Sequence, residues 1–133
     1  MIRIFFAVVF SLYMVGSAKA QVNEIESVIG SQIEAFQSDD FAAAFKFATP
    51  MIQGMFGTPE RFGMMVRNGF PMVWRPAEVQ YLEQRESGGF TYQKVLIRDA
   101  EGTYFALEYE MLETPLGWQI NGVRFLVEPA VAA

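Results

Sequence analysis

Apolar residues recur at two different periods along this chain, and the change comes near Ala77. Ile25, Val28, Ile29, Ile33 and Phe36 return every three or four residues, with Glu24, Glu26 and Glu34 between them, so residues 23–37 are predicted to form an amphipathic helix. Ser38, Asp39 and Asp40 then supply capping chemistry for a short helix in "FAAAFKFA". It stops at Thr49-Pro50, because a residue before proline is driven out of the helical region. Pro50 opens another short helical stretch. Thr58, Pro59 and Glu60 provide cap, first-turn proline and first-turn acid for a helix that ends near Asn68-Gly69.

Beyond Ala77 the alternation has period two. Turns at Ser87-Gly88-Gly89, Ala100-Glu101-Gly102 and Thr114-Pro115-Leu116-Gly117 divide it into four strands joined as a meander of hairpins. Three-residue loops at 87–89 and 100–102 set Val79 and Tyr81 opposite Ile97 and Val95, which in turn face Phe105 and Leu107. The same register continues that face as a polar row of Glu83, Gln93 and Tyr109. On the other face it places Lys94 across from Glu108, a solvated ion pair. Trp118, Ile120 and Phe125 on the last strand read as core, and Asn121-Gly122-Val123 as a bulge. The fold class that follows is α+β: N-terminal helices packed on a curved four-stranded antiparallel sheet. Such a sheet can close over its helices as a cone with one open mouth, a shape suited to small molecules.

The first twenty residues follow neither period. Arg3, an apolar run from Ile4 to Val15 and the small-residue tail Ala18-Lys19-Ala20 have the form of a secretory signal peptide cleaved after Ala20. The run is too short for a spanning helix, which needs roughly 20 apolar residues. The expected organisation is therefore a signal peptide at 1–20, one α+β domain at 21–127 and a loose tail at 128–133. The protein is expected in the periplasm or outside the cell, with no stable membrane span after cleavage.

Of 133 residues, 113 then remain, enough for one hydrophobic core. Cleavage removes Arg3 and Lys19 but no acid, so the formal charge moves from −5 to −7 and disfavours nucleic acid as a partner. The absence of cysteine excludes thiolate metal sites, thiol nucleophiles and disulfides. The absence of histidine removes the commonest general base and metal ligand. Carboxylates, phenols, amides, arginine and thioethers are left.

The segments "IGSQIEAFQSDDFAAAFKFATPMIQGMFGTPERFGMMV", "FPMVWRPAEV", "QKVLIRDAEG", "ALEYEML" and "GWQINGVRF", in that order, resemble the exported bacterial family called domain of unknown function 4864. The likeness runs from about Val28 to Leu126 and rests on the order of segments, with no single catalytic motif. That family is similar in plan to the nuclear transport factor 2-like superfamily, which implies a cone-shaped fold. The superfamily includes acid/base isomerases such as ketosteroid isomerase as well as domains without catalysis. No segment of this chain matches the isomerase motifs, so the resemblance implies a fold and no activity.

Three residue sets are candidates for chemistry. Met51, Met55, Met64 and Met65 could offer soft thioether ligands to copper(I). They are interleaved with Ile52, Phe56, Phe62 and Val66, so ordinary core is the leading reading, pocket or interface lining the second and metal the third. Arg75, Tyr81, Glu83, Gln93 and Tyr109 form the candidate ligand-binding set. Within it, Glu83 is the candidate general base and Tyr109 the group that would polarise an enolisable substrate. Arg75, between Trp74 and Pro76, is read first as a structural partner of an acid or of helix carbonyls, and Asp39 with Asp40 as helix caps.

The function expected is a non-catalytic exported domain, without cofactor, that binds a small, mostly apolar molecule or another exported protein through its cone. An isomerase- or dehydratase-like enzyme is the alternative, and copper(I) handling the third reading. Tyr92, Tyr104 and Leu96 on the outer face of the sheet are the residues a homodimer would use.

Overall fold

The computed structural model describes residues 8–127, with side chains from residue 18 onward. The start of the leader and the tail at 128–133 lie outside the described residues. Five helices precede four strands: α1 (Val8–Gln37), α2 (Phe41–Lys46), α3 (Pro50–Phe56), α4 (Pro59–Gly69), α5 (Pro71–Trp74), then β1 (Glu78–Ser87), β2 (Phe90–Arg98), β3 (Tyr104–Thr114) and β4 (Gly117–Phe125). The strands form one open, curved antiparallel sheet in the order β1-β2-β3-β4, so the α+β meander expected from the sequence is the fold observed. Among the described residues, no helix is long and apolar enough to cross a membrane.

The helical stripe of α1 is buried where the spacing predicts it. Ile25, Ile29, Ile33 and Phe36 are almost fully enclosed, and so are Val95, Ile97, Leu107, Tyr109 and Met111 on the inner face of the sheet. Burial of each such side chain contributes about 1.5–3 kcal/mol, and these residues form one core cluster with Phe62, Val66, Met72 and Val73. The helix starts earlier than the predicted residue 23, and among its residues with described side chains the first buried one is Ile25. Ala18, Lys19 and Ala20 are exposed.

Local chemistry explains the helix ends. Asp39 N–H donates to the Phe36 carbonyl at 3.0 Å and Asp40 N–H to the Ala35 carbonyl at 2.8 Å, closing α1 with Asp39 at φ +55°. Asp40 then caps α2 by accepting from Ala43 N–H at 3.1 Å, and the Thr58 hydroxyl caps α4 by accepting from Arg61 N–H at 3.2 Å. Only α5, a single turn after Pro71, has no counterpart in the sequence reading.

The sheet register agrees with expectation at Val79↔Ile97, Tyr81↔Val95, Ile97↔Phe105 and Val95↔Leu107. It departs between those pairs and the first hairpin. The loop there has two residues, since Ser87 pairs with Phe90, and Gly88 and Gly89 both adopt positive φ, at +59° and +85°. Leu82 and Glu83 together oppose Lys94, a bulge that returns the strand to register by Tyr81. The shorter loop and the extra residue cancel, and the correction falls wholly on Glu83.

The Gln93 side chain secures this bulge. Its Nε2 donates to the carbonyls of Leu82 at 3.0 Å and Lys94 at 2.9 Å, and its Oε1 accepts from Gln84 Nε2 at 2.7 Å. A second bulge lies at Asn121, where Glu110 pairs with Gly122 but Met111 with Ile120, as the Asn-Gly pair suggested. Asn121 accepts from the Thr49 hydroxyl and donates to Glu110, both at 2.7 Å. Beside it, Ile120 N–H donates to the Phe47 carbonyl at 2.7 Å and Thr49 N–H to the Ile120 carbonyl at 2.9 Å.

The outer face corrects another expectation. Glu108 does stand across from Lys94, but it is 7% exposed and held by Arg85 Nη2 at 2.9 Å and Arg124 Nε at 3.0 Å. Burial pushes its carboxyl up, yet hydrogen bonds from Arg124 and Arg85 outweigh this and hold it below the usual carboxylate range. A depressed folded value stabilises the protein fully above the unfolded value and ceases to do so as pH falls through the folded one. Glu108→Gln is therefore expected to cost about 1–2 kcal/mol at pH 7. The difference from wild type in urea midpoint should shrink steadily as the unfolding series is taken down to pH 3; a gap that holds constant would remove the carboxylate from the account.

Candidate functional site

A cavity of about 190 Å³ opens where α3, α4 and the start of α5 lean over β3 and β4. Its wall includes Ile52, Met55 and Phe56 from α3, Phe62, Met65 and Val66 from α4, and Tyr109 and Val123 from the sheet. Gln32 and Phe36 close it from α1. Pro50 and Pro59 start the two framing helices, and Gly57 at φ +81° lets the chain reverse between them, so the short sequence around the methionines builds the mouth.

The lining holds no charged side chain. Gln32 Nε2 donates to the Ala44 carbonyl at 3.1 Å, which ties its amide to α2. Tyr109 is completely buried and its hydroxyl has no hydrogen-bond partner. An unmatched buried polar group costs about 1–3 kcal/mol, which ordinary packing does not retain without cause. Burial, with a smaller contribution from Tyr81, pushes its phenol far above the usual tyrosine value. It keeps its proton and is a hydrogen-bond donor across physiological pH.

The five residues of the predicted ligand set are dispersed. Tyr109 lines the cavity. Gln93 lies next to it in register but spends its amide on the bulge. Tyr81 is half-buried, with burial and then the Glu26 charge pushing its phenol up, and lines a separate shallow groove with Gly30, Ile33 and Pro76. Its hydroxyl fills the space left by Gly30, where a Cβ would come within 3.2 Å. Glu83 is turned outward by the bulge, its side chain 71% exposed and 3.6 Å from Lys94 Nζ. Glu83 and Tyr109 thus occupy opposite faces, so the base and polarising group of the isomerase-like alternative are not assembled.

Arg75 is a fastener, as the structural reading of that residue had it. It donates to the Phe36 carbonyl at 2.7 Å and to both Asp39 carboxylate oxygens at 3.1 Å, with its guanidinium 3.9 Å above the Trp74 ring. Trp74 Nε1 also donates to Asp39, at 2.8 Å. This hydrogen bond and the Arg75 contacts hold the Asp39 carboxyl below its ordinary value. Asp39 consequently joins α1 to α5, and the capping expected of the aspartate pair falls to Asp40 alone.

The methionines overturn their leading reading. Met51, Met55 and Met64 are 55%, 66% and 50% exposed, so they are not core. Met65 is partly buried against the core, and Met55 and Met65 both line the cavity. Their density beside Phe56 and Phe62 was the sequence signal for this site, although Gln32, Phe70 and Val123 carried none. Phe125, expected in the core, is 46% exposed and stacks on Phe70 at 4.9 Å. Among the described residues, no cluster of three or more acidic, histidine or cysteine side chains could hold a metal.

The fold and its cavity define an α+β domain whose helices and sheet enclose an uncharged recess. The chain belongs to the family described as domain of unknown function (DUF4864), which it matches over residues 18–133. No curated protein matches it.

Proposed function

We propose that this is an exported, non-catalytic binding domain that takes a small, mostly apolar molecule into the cavity under α3 and α4. The observation that carries the reading is the uncharged, largely apolar lining beneath a flexible thioether rim at Met55 and Met65. Its volume exceeds the roughly 150 Å³ known to admit benzene. The leader pattern at residues 1–20 is what supports export. The place of action would be the periplasm or the medium.

Native mass spectrometry on protein gently purified from the cells that export it is the test. The wild type is expected to carry a small added mass, and Met65→Trp, which fills the recess, to lose it while keeping its far-ultraviolet circular dichroism. An added mass that survives the cavity-filling change places the ligand elsewhere. Association with another exported protein is a second reading, favoured by the exposure of Met51, Met55 and Met64 on the framing helices. It would appear as a stable complex with no small mass.

A further inference from the structure

With no cysteine and no histidine in the chain, thioethers are its softest and most readily oxidised side chains. Met51, Met55 and Met64 are 55%, 66% and 50% exposed, whereas Met72 and Met111 are 5% and 0% exposed, and Met65 is partly buried against the core. Of these, only Met55 and Met65 line the recess, so Met55 is the thioether that both faces water and walls the cavity. Its helix leaves it accessible: α3 has no buried residue, and a Cβ at Gly54 or Gly57 would meet nothing within 4 Å. What fastens α3 is Gln53, whose Nε2 donates to the carbonyls of Ala48 at 2.9 Å and Phe45 at 3.2 Å.

We propose, on the binding reading above, that Met55 is an oxidation site that controls the recess: conversion of its thioether to the sulfoxide weakens the binding of apolar molecules without unfolding the domain. The oxidant is a peroxide. One peroxide oxygen is transferred to the Met55 sulfur, so that an S–O bond forms as the O–O bond breaks; the sulfur gives up two electrons, and hydrogen peroxide leaves as water. A flexible apolar group is thereby replaced by a hydrated, polar one. Burying the sulfoxide against the uncharged, largely apolar lining would cost its hydration, so the side chain turns to solvent and the mouth loses part of its apolar wall. The fold is spared because α3 buries nothing that the sulfoxide would displace, whereas the same change at Met111, enclosed in the core, would disrupt packing. Met51 and Met64 are comparably exposed but stand outside the recess, which makes them internal controls.

The folded protein is treated with graded hydrogen peroxide, and peptide mass spectrometry follows the added mass of one oxygen at each methionine. Met51, Met55 and Met64 are expected to react first, Met65 later, and Met72 and Met111 last. Benzene affinity is then read by ligand-observed magnetic resonance titration, with circular dichroism confirming the fold. Treatment that oxidises Met55 is expected to weaken benzene binding about 3- to 5-fold, the worth of one methylene of apolar contact. Whatever its own starting affinity, Met55→Leu is expected to bind benzene equally before and after treatment, while the Met51→Leu, Met64→Leu double variant should weaken as the wild type does. Oxidation of Met55 no faster than that of Met111, an unchanged wild-type affinity once Met55 is oxidised, or a loss that persists in Met55→Leu would each overturn the oxidation site while leaving the cavity as a binding site. Absence of benzene binding to the untreated protein would overturn it together with the binding reading, so the two failures are distinct.

Discussion

Replacing Phe36 by alanine is expected to remove about 3–5 kcal/mol of folding stability, the largest single-residue loss in this domain. Phe36 is fully buried at the C-terminal end of α1, with ring centroids 5.8 Å from Phe62 and 6.4 Å from Phe41. It is the place where α1, α2 and α4 meet, and one side of it already borders the recess. Neighbours cannot easily collapse into the vacated space, because part of their surroundings is empty already. A domain of this size has roughly 5–15 kcal/mol in total, so the variant should unfold at a much lower urea concentration with little change in slope. Met64→Ala serves as the contrast: at 50% exposure it should shift stability by less than about 0.5 kcal/mol. A Phe36→Ala midpoint close to that of Met64→Ala would mean the helical layer is held by something other than this aromatic cluster.

Gly63→Val is the second large effect. A Cβ at Gly63 would lie 2.4 Å from Phe41 Cγ and within 2.6 Å of both ring δ carbons, closer than any real contact. Glycine in a helix interior costs about 1 kcal/mol relative to alanine, and α4 accepts that cost so that Phe41 of α2 can lie flat against its backbone. A branched side chain there must displace the ring and is expected to destabilise by about 1–3 kcal/mol or more. Pairing it with Phe41→Ala separates steric conflict from helix propensity. In a thermal unfolding cycle the double variant should be more stable than the sum of the two single losses predicts, because the small partner makes room for the large one. Strict additivity would show that the two residues do not compete for the same space.

Much of this architecture was legible because it follows from spacing. Ile25 to Phe36 announced the buried face of α1, Thr58-Pro59-Glu60 the start of α4, and glycine-marked turns the hairpins. The pairings of Val79, Tyr81, Val95 and Ile97 also followed, since an error of one residue in the first loop was undone by a bulge four pairs later. Bulges leave little trace in composition unless an Asn-Gly pair marks them, as at Asn121. Leu82-Glu83 carries no such mark, and a one-residue shift there sends a side chain from one face to the other. That is why Glu83 was misplaced while Tyr109 was not.

The site was less legible than the fold. Two of its thioethers were singled out, with core as the leading reading and pocket or interface lining only the second, because sequence spacing does not reveal which side of a short helix is left uncovered. Gln32 was invisible for a different reason: a polar residue within an apolar stripe is ordinarily placed outside, and here a single hydrogen bond to α2 keeps it 3% exposed. Arg75 and Asp39 were recognised as structural, yet their meeting across 36 positions is a product of tertiary packing alone.

The bonds that residues 47–49 make to Ile120 have a consequence for how copies of this molecule can meet. They occupy the outward backbone N–H and C=O of Ile120 in the middle of β4, and the Gln119 amide adds donations to the Lys46 and Ala48 carbonyls at 3.1 and 3.2 Å. A neighbouring chain therefore finds the middle of that edge already taken. At the other margin, β1 is interrupted by its bulge and presents Glu78, Glu83, Arg85 and Glu86, which discourages the same kind of growth. With one margin engaged at Ile120 and the other interrupted by a bulge and lined with charge, the sheet is less open to self-templated fibre formation, in a chain that has no cysteine with which to form a disulfide.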